Sequence, residues 1–81
     1  MPVTNNRKAV KMQALVQIGD TVKRERLKKA MRQDELARLA GITPTTLSRI
    51  ERNESEPHVS TIRKLANVLG VSPALLIEGE R

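Results

Sequence analysis

The sequence has no cysteine and a single histidine, His58, among its 81 residues. Disulfide bonds and thiolate metal sites are therefore excluded, and one histidine does not make a metal site, so we expect no cofactor. No stretch approaches the roughly 18 apolar residues of a membrane-spanning helix, and no contact with a membrane is expected. The N-terminus, MPVTNNRKAVKM, lacks the apolar core of a secretory signal, which favours a cytoplasmic protein.

Phenylalanine, tyrosine and tryptophan are absent as well. Proteins that bind single-stranded nucleic acid or RNA loops usually stack the bases on aromatic rings. Duplex DNA is read through hydrogen bonds and charge at groove edges and phosphates, which needs no aromatic residue. If the partner is a nucleic acid, the composition favours double-stranded DNA.

The charge is positive and unevenly distributed. Fifteen basic and nine acidic residues give a net charge of +6, and residues 1–41 hold ten of the basic residues but only four of the acidic ones. A basic half is typical of a protein with a polyanionic partner. A solvated helix face would look the same, so charge alone does not decide between these interpretations.

Residues 1–17 form an N-terminal arm or extension that allows two interpretations. The alternation of apolar and polar residues from Val10 to Ile18 is typical of a strand. The same stretch consists mostly of good helix formers and can also place its larger apolar residues on one helical face. We expect one domain over 18–78, followed by a tail at 79–81.

The domain is predicted to be all-α, with five short helices. Their expected bounds are Asp20 to about Met31, Gln33 to Ala40, Pro44 to Glu51 or Arg52, Val59 to Leu69, and a short helix from Pro73.

The start and stop signals of the later helices are clear. Thr43 and Ser72 are predicted N-caps, each followed by a proline at the first helical position, where a missing N–H does no harm. Gly41, Asn53 and Gly70 can adopt the left-handed conformation that ends a helix.

The first helix is predicted from its cap and its apolar spacing. Asp20 can cap it, while Val22, Leu27, Ala30 and Met31 are expected to form its buried stripe. Its other faces have many basic residues.

The most informative segment is QDELARLAGITPTTLSRIER, residues 33–52. Two helices can cross closely at a tight turn only if a small residue lies at the contact and the turn tolerates a left-handed residue. Ala37 and Gly41 meet these two needs. The positions that must be buried are all apolar: Leu36, Ala40, Ile42, Leu47 and Ile50. A simple helical hairpin would have the same apolar spacing. It would not be expected to combine that spacing with Ala37, Gly41 and a following helix that begins at a capping Thr43 and Pro44.

On these motifs, the chain resembles the lambda-repressor-like (Xre-type) helix-turn-helix domains of bacterial and phage regulators. The similarity extends over about residues 18–78, and includes Gln33-Asp34-Glu35-Leu36-Ala37, Gly41-Ile42-Thr43, Leu47-Ser48-Arg49-Ile50-Glu51-Arg52, Pro57, Leu65-Ala66, Leu69-Gly70-Val71-Ser72 and Leu75-Leu76. It implies a five-helix DNA-binding domain with an N-terminal extension, whose third helix enters the major groove.

The resemblance also implies roles for individual residues. Base contacts are expected from Pro44, Thr45, Thr46, Ser48 and Arg49, with Arg49 the best candidate because a guanidinium pairs with guanine O6 and N7. Phosphate contacts are expected from Arg32, Gln33, Thr43, Asn53, Arg38 and Lys28. Arg26 and Glu51 match a pair that forms a structural salt bridge, although Arg26 could instead contact a phosphate.

The chain departs from the family pattern at five positions. Arg32 replaces a capping Ser or Thr, and Ala30 replaces a common glycine, which suggests a tighter turn or continuous helix. Asn53 replaces another glycine, and a left-handed asparagine can imitate it. Pro44 replaces a frequent glutamine, so the sequence that is read must differ. His58 stands at the usual cap of the fourth helix and is expected to be a surface residue.

The expected function is sequence-specific transcriptional regulation through double-stranded DNA. The expected partners are the duplex and a second copy of the chain. Leu75, Leu76 and Ile77 are the main candidates for a homodimer contact, and the apolar residues from Val10 to Ile18 are the other. An antitoxin or other partner-controlled DNA-binding protein is the alternative, with the extension as the protein-binding segment. An enzyme is not expected, because the sequence has no cysteine, one histidine and no phosphate-binding glycine loop.

Overall fold

The computed structural model describes residues 18–79, and within that range every regular element is a helix. The helices are α1 (18–28 of the described residues), α2 (Gln33–Ala40), α3 (Pro44–Glu51), α4 (Val59–Leu69) and α5 (Pro73–Glu78). The all-α, five-helix prediction is thus confirmed. Our expectations for residues 1–17 and for 80–81 lie outside the described residues.

The core lies between the inward faces of all five helices. α2 packs against α3 and α4, and α4 packs against α5. The buried apolar residues are Ile18, Val22, Leu36, Ala37, Ala40, Leu47, Ile50, Ile62, Leu65, Ala66, Leu69 and Leu76. Burial of these side chains is the main favourable contribution to folding in so small a domain.

The expected helix ends are confirmed for α2 to α5. The backbone N–H of Thr46 donates to Thr43 Oγ1 at 3.1 Å, and that of Leu75 donates to Ser72 Oγ at 3.3 Å. Gly41, at φ 73°, ends α2 in the left-handed conformation. Arg32 and His58 precede α2 and α4 without a side-chain cap, because neither side chain offers a short oxygen acceptor.

The expectations for α1 were partly wrong. Asp20 lies inside the helix and not at its cap, and α1 ends at residue 28 instead of about Met31. Leu27 is 57% exposed and Ala30 is exposed, so neither belongs to the buried stripe. Ala30 has φ 52°, which makes the turn after α1 left-handed and not continuously helical.

The inward face of α1 contains polar residues that the apolar spacing did not predict. Thr21, Glu25 and Arg26 are all buried. The Glu25 carboxylate is compensated by Lys28, whose Nζ lies 3.0 Å from Glu25 Oε2. Buried charges of this kind need partners, and their partners cannot be read from hydrophobic periodicity.

Candidate nucleic-acid interface

The α2–α3 unit is built around a small residue and a left-handed turn. Ala37 is completely buried, which allows the two helices to approach closely. At the turn, the N–H of Ile42 donates to the carbonyl of Ala37 at 3.0 Å, and that of Gly41 donates to the carbonyl of Arg38 at 3.2 Å. These bonds satisfy carbonyls at the end of α2 and set the direction in which α3 leaves the turn.

The two faces of α3 have different environments. Leu47, Ile50 and Glu51 are buried against the rest of the domain. The expected base-contact residues lie on the other side: Pro44, Thr45, Thr46 and Arg49 are exposed, and Ser48 is half-buried. These five residues are therefore accessible or half-buried, unlike the inner face of α3, and we call them together the reading face.

Two of the hydroxyls near this face are engaged within the protein. Thr43 Oγ1 accepts from the Thr46 backbone and donates to Thr46 Oγ1 at 2.9 Å. The Thr43 side chain thus caps α3 and bonds the Thr46 hydroxyl at the same time. Thr45 and Arg49 are exposed on the reading face.

A buried ion pair joins α1 to the end of α3. Arg26 Nε donates to Glu51 Oε2 at 2.7 Å and Arg26 Nη2 donates to Glu51 Oε1 at 3.0 Å. The two side chains are only 10% and 3% exposed. A two-pronged contact of this kind fixes orientation as well as distance. The structural pair implied by the family resemblance is therefore present.

The neighbours of the ion pair complete its hydrogen bonding. Gln33 Nε2, on α2, donates to Glu51 Oε1 at 3.0 Å. Arg26 Nη1 donates to the carbonyl of Met31 at 2.8 Å. Glu51 therefore receives donors from two helices, and the network connects α1, α2 and α3 in one hydrogen-bonded group.

The six expected phosphate contacts have different surroundings. Arg32 and Arg38 are exposed, and Arg32 Nε forms a solvent-exposed pair with Asp34 at 3.3 Å. Lys28 pairs with Glu25.

The three uncharged residues of this set are bonded within the protein. The side chains of Gln33 and Thr43 make the internal bonds described above. Asn53 Nδ2 donates to Asp20 Oδ1 at 3.1 Å, so its amide is also engaged within the protein.

A close approach at Gly19 was not expected from the sequence. A Cβ atom at this position would overlap the Ile50 carbonyl oxygen and Asn53 Oδ1. Gly19 therefore lets α1 lie directly against the end of α3. A glycine in the middle of an otherwise good helix-forming segment is a usable signal of such packing, because glycine weakens a helix interior.

Other kinds of site find no support in residues 18–79. No group of three or more His, Asp or Glu side chains in this range is arranged to hold a metal ion. No helix in the same range is long and apolar enough to cross a membrane. His58 is exposed, as expected.

α3 crosses α2 at a tight turn and has a buried inner face and an accessible outer face. Together with the arrangement of the five helices, this defines a helix-turn-helix protein of the lambda-repressor-like type. The family model described as "Helix-turn-helix" matches residues 22–76. The chain belongs to this family.

Individual relatives agree with the assignment. The chain is 36% identical over 61 residues to the SPbeta prophage-derived uncharacterized HTH-type transcriptional regulator YonR of Bacillus subtilis (strain 168), covering 75% of this chain and 56% of the relative. It is 30% identical over 63 residues to Repressor protein C2 of Salmonella phage P22, covering 78% of this chain and 29% of that protein. The chain thus spans about half or less of these relatives.

A solved structure has the same fold. The P22 c2 repressor in complex with a synthetic operator has a TM-score of 0.74 and 30% identity, covering 78% of this chain and 96% of that chain. The match to the family model, over residues 22–76, includes the reading face.

Proposed function

We propose that this protein is a sequence-specific double-stranded-DNA-binding transcriptional regulator that reads the major groove with the reading face of α3. The observation that supports this most directly is the division of α3 into a buried face and an accessible one. An exposed guanidinium, Arg49, and exposed threonines stand on a helix whose position is fixed from behind by the Arg26–Glu51 pair. This is the arrangement that direct readout requires.

The relatives support the same role. Two of them are named as a transcriptional regulator and a repressor, and a protein of the same fold has been seen with an operator. A regulator of this kind acts by occupying DNA and needs no catalytic group, so we propose a non-enzymatic protein. It would act where the DNA is, which in a bacterial cell is the cytoplasm.

We further propose that two copies bind together. One recognition helix contacts only a few base pairs, which is too little to distinguish one site in a genome. A two-fold dimer would place two reading faces about 34–36 Å apart along the duplex. Leu76 is fully buried inside the domain and is unavailable for this contact, but Ile77 is 41% exposed and Leu75 is half-buried.

Selection of bound duplexes from a random library tests the proposal. We expect a recurring motif with two-fold symmetry, bound with an affinity that falls steeply as salt rises because phosphate contacts release counterions. A selected duplex placed upstream of a reporter should change transcription when the protein is expressed. Recovery of no recurring motif, with binding that ignores salt, would contradict DNA readout.

A further inference from the structure

The segment that follows α3 is tied to the start of the described part of α1 by a side-chain amide. Asn53 Nδ2 donates to Asp20 Oδ1 at 3.1 Å across 33 positions of sequence. Asn53 itself has φ 62°, and its N–H donates to the Ile50 carbonyl at 3.0 Å. The residue therefore ends α3 with its backbone and contacts α1 with its side chain.

Asparagine is not the residue that the backbone alone would favour here. Glycine adopts a positive φ without the steric penalty of a side chain. The side-chain oxygen, Asn53 Oδ1, is buried without a hydrogen-bond partner, and a buried unsatisfied acceptor is destabilising. Gly19 leaves the space in which that oxygen lies. The chain thus retains a side chain whose buried oxygen has no partner, at a position where glycine could also end the helix, which indicates a second role for the amide.

That second role follows from the geometry of α3. The Arg26–Glu51 pair holds α3 at its last residue, Glu51. The Asn53–Asp20 bond adds a second point further along the chain. The N–H of Glu54 donates to the Arg49 carbonyl at 2.9 Å, so Asn53 belongs to the same hydrogen-bonded turn as Arg49. A shift at Asn53 would therefore move the residue best placed to contact a base.

We infer that Asp20 and Asn53 are positioning residues for sequence recognition: together with the Arg26–Glu51 pair, their bond sets the orientation of the end of α3 and hence the placement of Arg49 on the base edges. The inference rests on the proposed function. Neither residue belongs to the reading face, and the effect passes through the backbone of residues 49–54. Base readout depends on donor geometry, whereas phosphate attraction tolerates small displacements, so loss of the bond should reduce discrimination between sequences more than total affinity.

The test uses Asn53→Gly and Asp20→Ala in the full chain. Asn53→Gly keeps a residue suited to φ 62° and removes only the amide. We expect its Tm to be unchanged or higher, while the ratio of affinities for the selected duplex and a scrambled duplex falls by about threefold or more. Asp20→Ala should lower the same ratio, and the double variant should lower it no further.

Control variants distinguish a positioning effect from effects of net charge and of stability on DNA binding. Glu56→Ala removes an exposed carboxylate from the loop after α3 and should leave the ratio unchanged, since a change of net charge affects both duplexes alike. An unchanged ratio in Asn53→Gly would overturn the inference, whatever happens to Tm. Equal weakening on both duplexes would also overturn it and make Asn53 a phosphate contact.

A fall in the ratio for Asn53→Gly but not for Asp20→Ala would likewise contradict positioning, because it would mean that Asn53 touches a base directly. Binding by the wild-type protein distinguishes failure of the proposed function from failure of the inference. If it shows no salt-dependent duplex binding, the proposed function fails and the inference with it. If it binds with clear sequence preference, the ratios in the variants decide the inference alone.

Discussion

Helices α1 to α4 are each followed by a residue with positive φ, and these four residues are of three types; α5 also ends at such a residue, Gly79, at φ 79°. Gly41 and Gly70 lie at 73° and 72°, Asn53 at 62° and Ala30 at 52°. Glycine has no steric penalty in this region and asparagine a small one, whereas alanine is disfavoured by contact of its Cβ with the following carbonyl. Of these four residues, Ala30 therefore has the highest conformational cost, and its replacement is the most promising way to stabilise the protein.

We predict that Ala30→Gly stabilises the protein by about 1 kcal/mol, because relief of the left-handed strain exceeds the entropy that glycine adds to the unfolded chain. The side chain is exposed, so no packing is lost. Thermal or urea unfolding measures the effect. As a control, Ala74→Gly, at an exposed position inside α5, should destabilise by roughly 0.5–1 kcal/mol. Loss of stability in Ala30→Gly would contradict the left-handed assignment.

The reading face leads to a prediction about Arg49. Arg49→Ala should weaken binding to the selected duplex by about 1–3 kcal/mol and relax the preference at one base pair in each half-site. Titrations with single-base variants of the duplex measure this. Arg63→Ala, which removes an exposed arginine from α4, should leave the base preference unchanged. If Arg49→Ala weakens every duplex equally, Arg49 contacts a phosphate and not a base.

At the scale of the helices, the buried Arg26–Glu51 pair dominates the attachment of α3. Glu51→Ala should destabilise the fold by roughly 3–5 kcal/mol, because it leaves the Arg26 charge buried without its partner. Glu54→Ala breaks the exposed pair with Arg52, whose side chains are 60% and 52% accessible, and should change stability by less than about 1 kcal/mol. Similar unfolding midpoints for the two variants would show that the Arg26–Glu51 pair contributes little to the stability of the fold.

Because α1 and α3 are in close contact, we predict that Gly19→Ala lowers the stability of the protein, whereas the same change in an ordinary helix raises it. In an ordinary helix interior this change is favourable by roughly 0.5–1 kcal/mol. Here the new methyl group would overlap the Ile50 carbonyl oxygen, so we expect a loss of about 1–3 kcal/mol, as for an overpacked core. Lys23→Ala, at an exposed position of α1, is the matched control and should be nearly neutral. A stabilised Gly19→Ala protein would exclude the close approach.

The success of sequence-based prediction differed between the helices for a physical reason. α2 to α5 each begin or end at a residue with a local signal, such as the Thr43–Pro44 restart or Gly70, and their bounds were predicted well. α1 has a misleading signal, because Asp20 resembles a cap but lies within the helix. Its inward face also includes buried Glu25, which interrupts the apolar spacing that would otherwise define it.

For the candidate site, the sequence and its family resemblance predicted the accessible residues and the Arg26–Glu51 pair, but not the contact that Asn53 makes. The accessible face of α3 follows from helical periodicity around Leu47 and Ile50. The partner of Asn53 is 33 positions away, and no local pattern links it to Asp20. The Lys28–Glu25 pair, by contrast, joins residues three positions apart on one helix, so its spacing can be read from the sequence, although the burial of Glu25 cannot.

At the scale of the whole molecule, the exposed apolar residues bear on assembly. Ile77→Ser should reduce the dimer on DNA, because Ile77 is the accessible member of the apolar group in α5. Sedimentation with and without the selected duplex measures the number of chains bound. Leu27→Ser, which alters a more exposed leucine on α1, is the control and should leave assembly intact. If Leu27→Ser, and not Ile77→Ser, separates the copies, the contact lies on α1 instead of α5.

The division of α3 into two faces also affects how this protein can change over generations. Leu47, Ile50 and Glu51 maintain the fold, while Thr45 and Arg49 do not contribute to the core. Substitutions at exposed positions without structural contacts usually alter stability by less than about 0.5 kcal/mol. If α3 reads DNA as proposed, new operator preferences can arise by single substitutions at Thr45 or Arg49 without passing through unfolded variants. Thr46, whose hydroxyl bonds to Thr43, offers a narrower range of replacements.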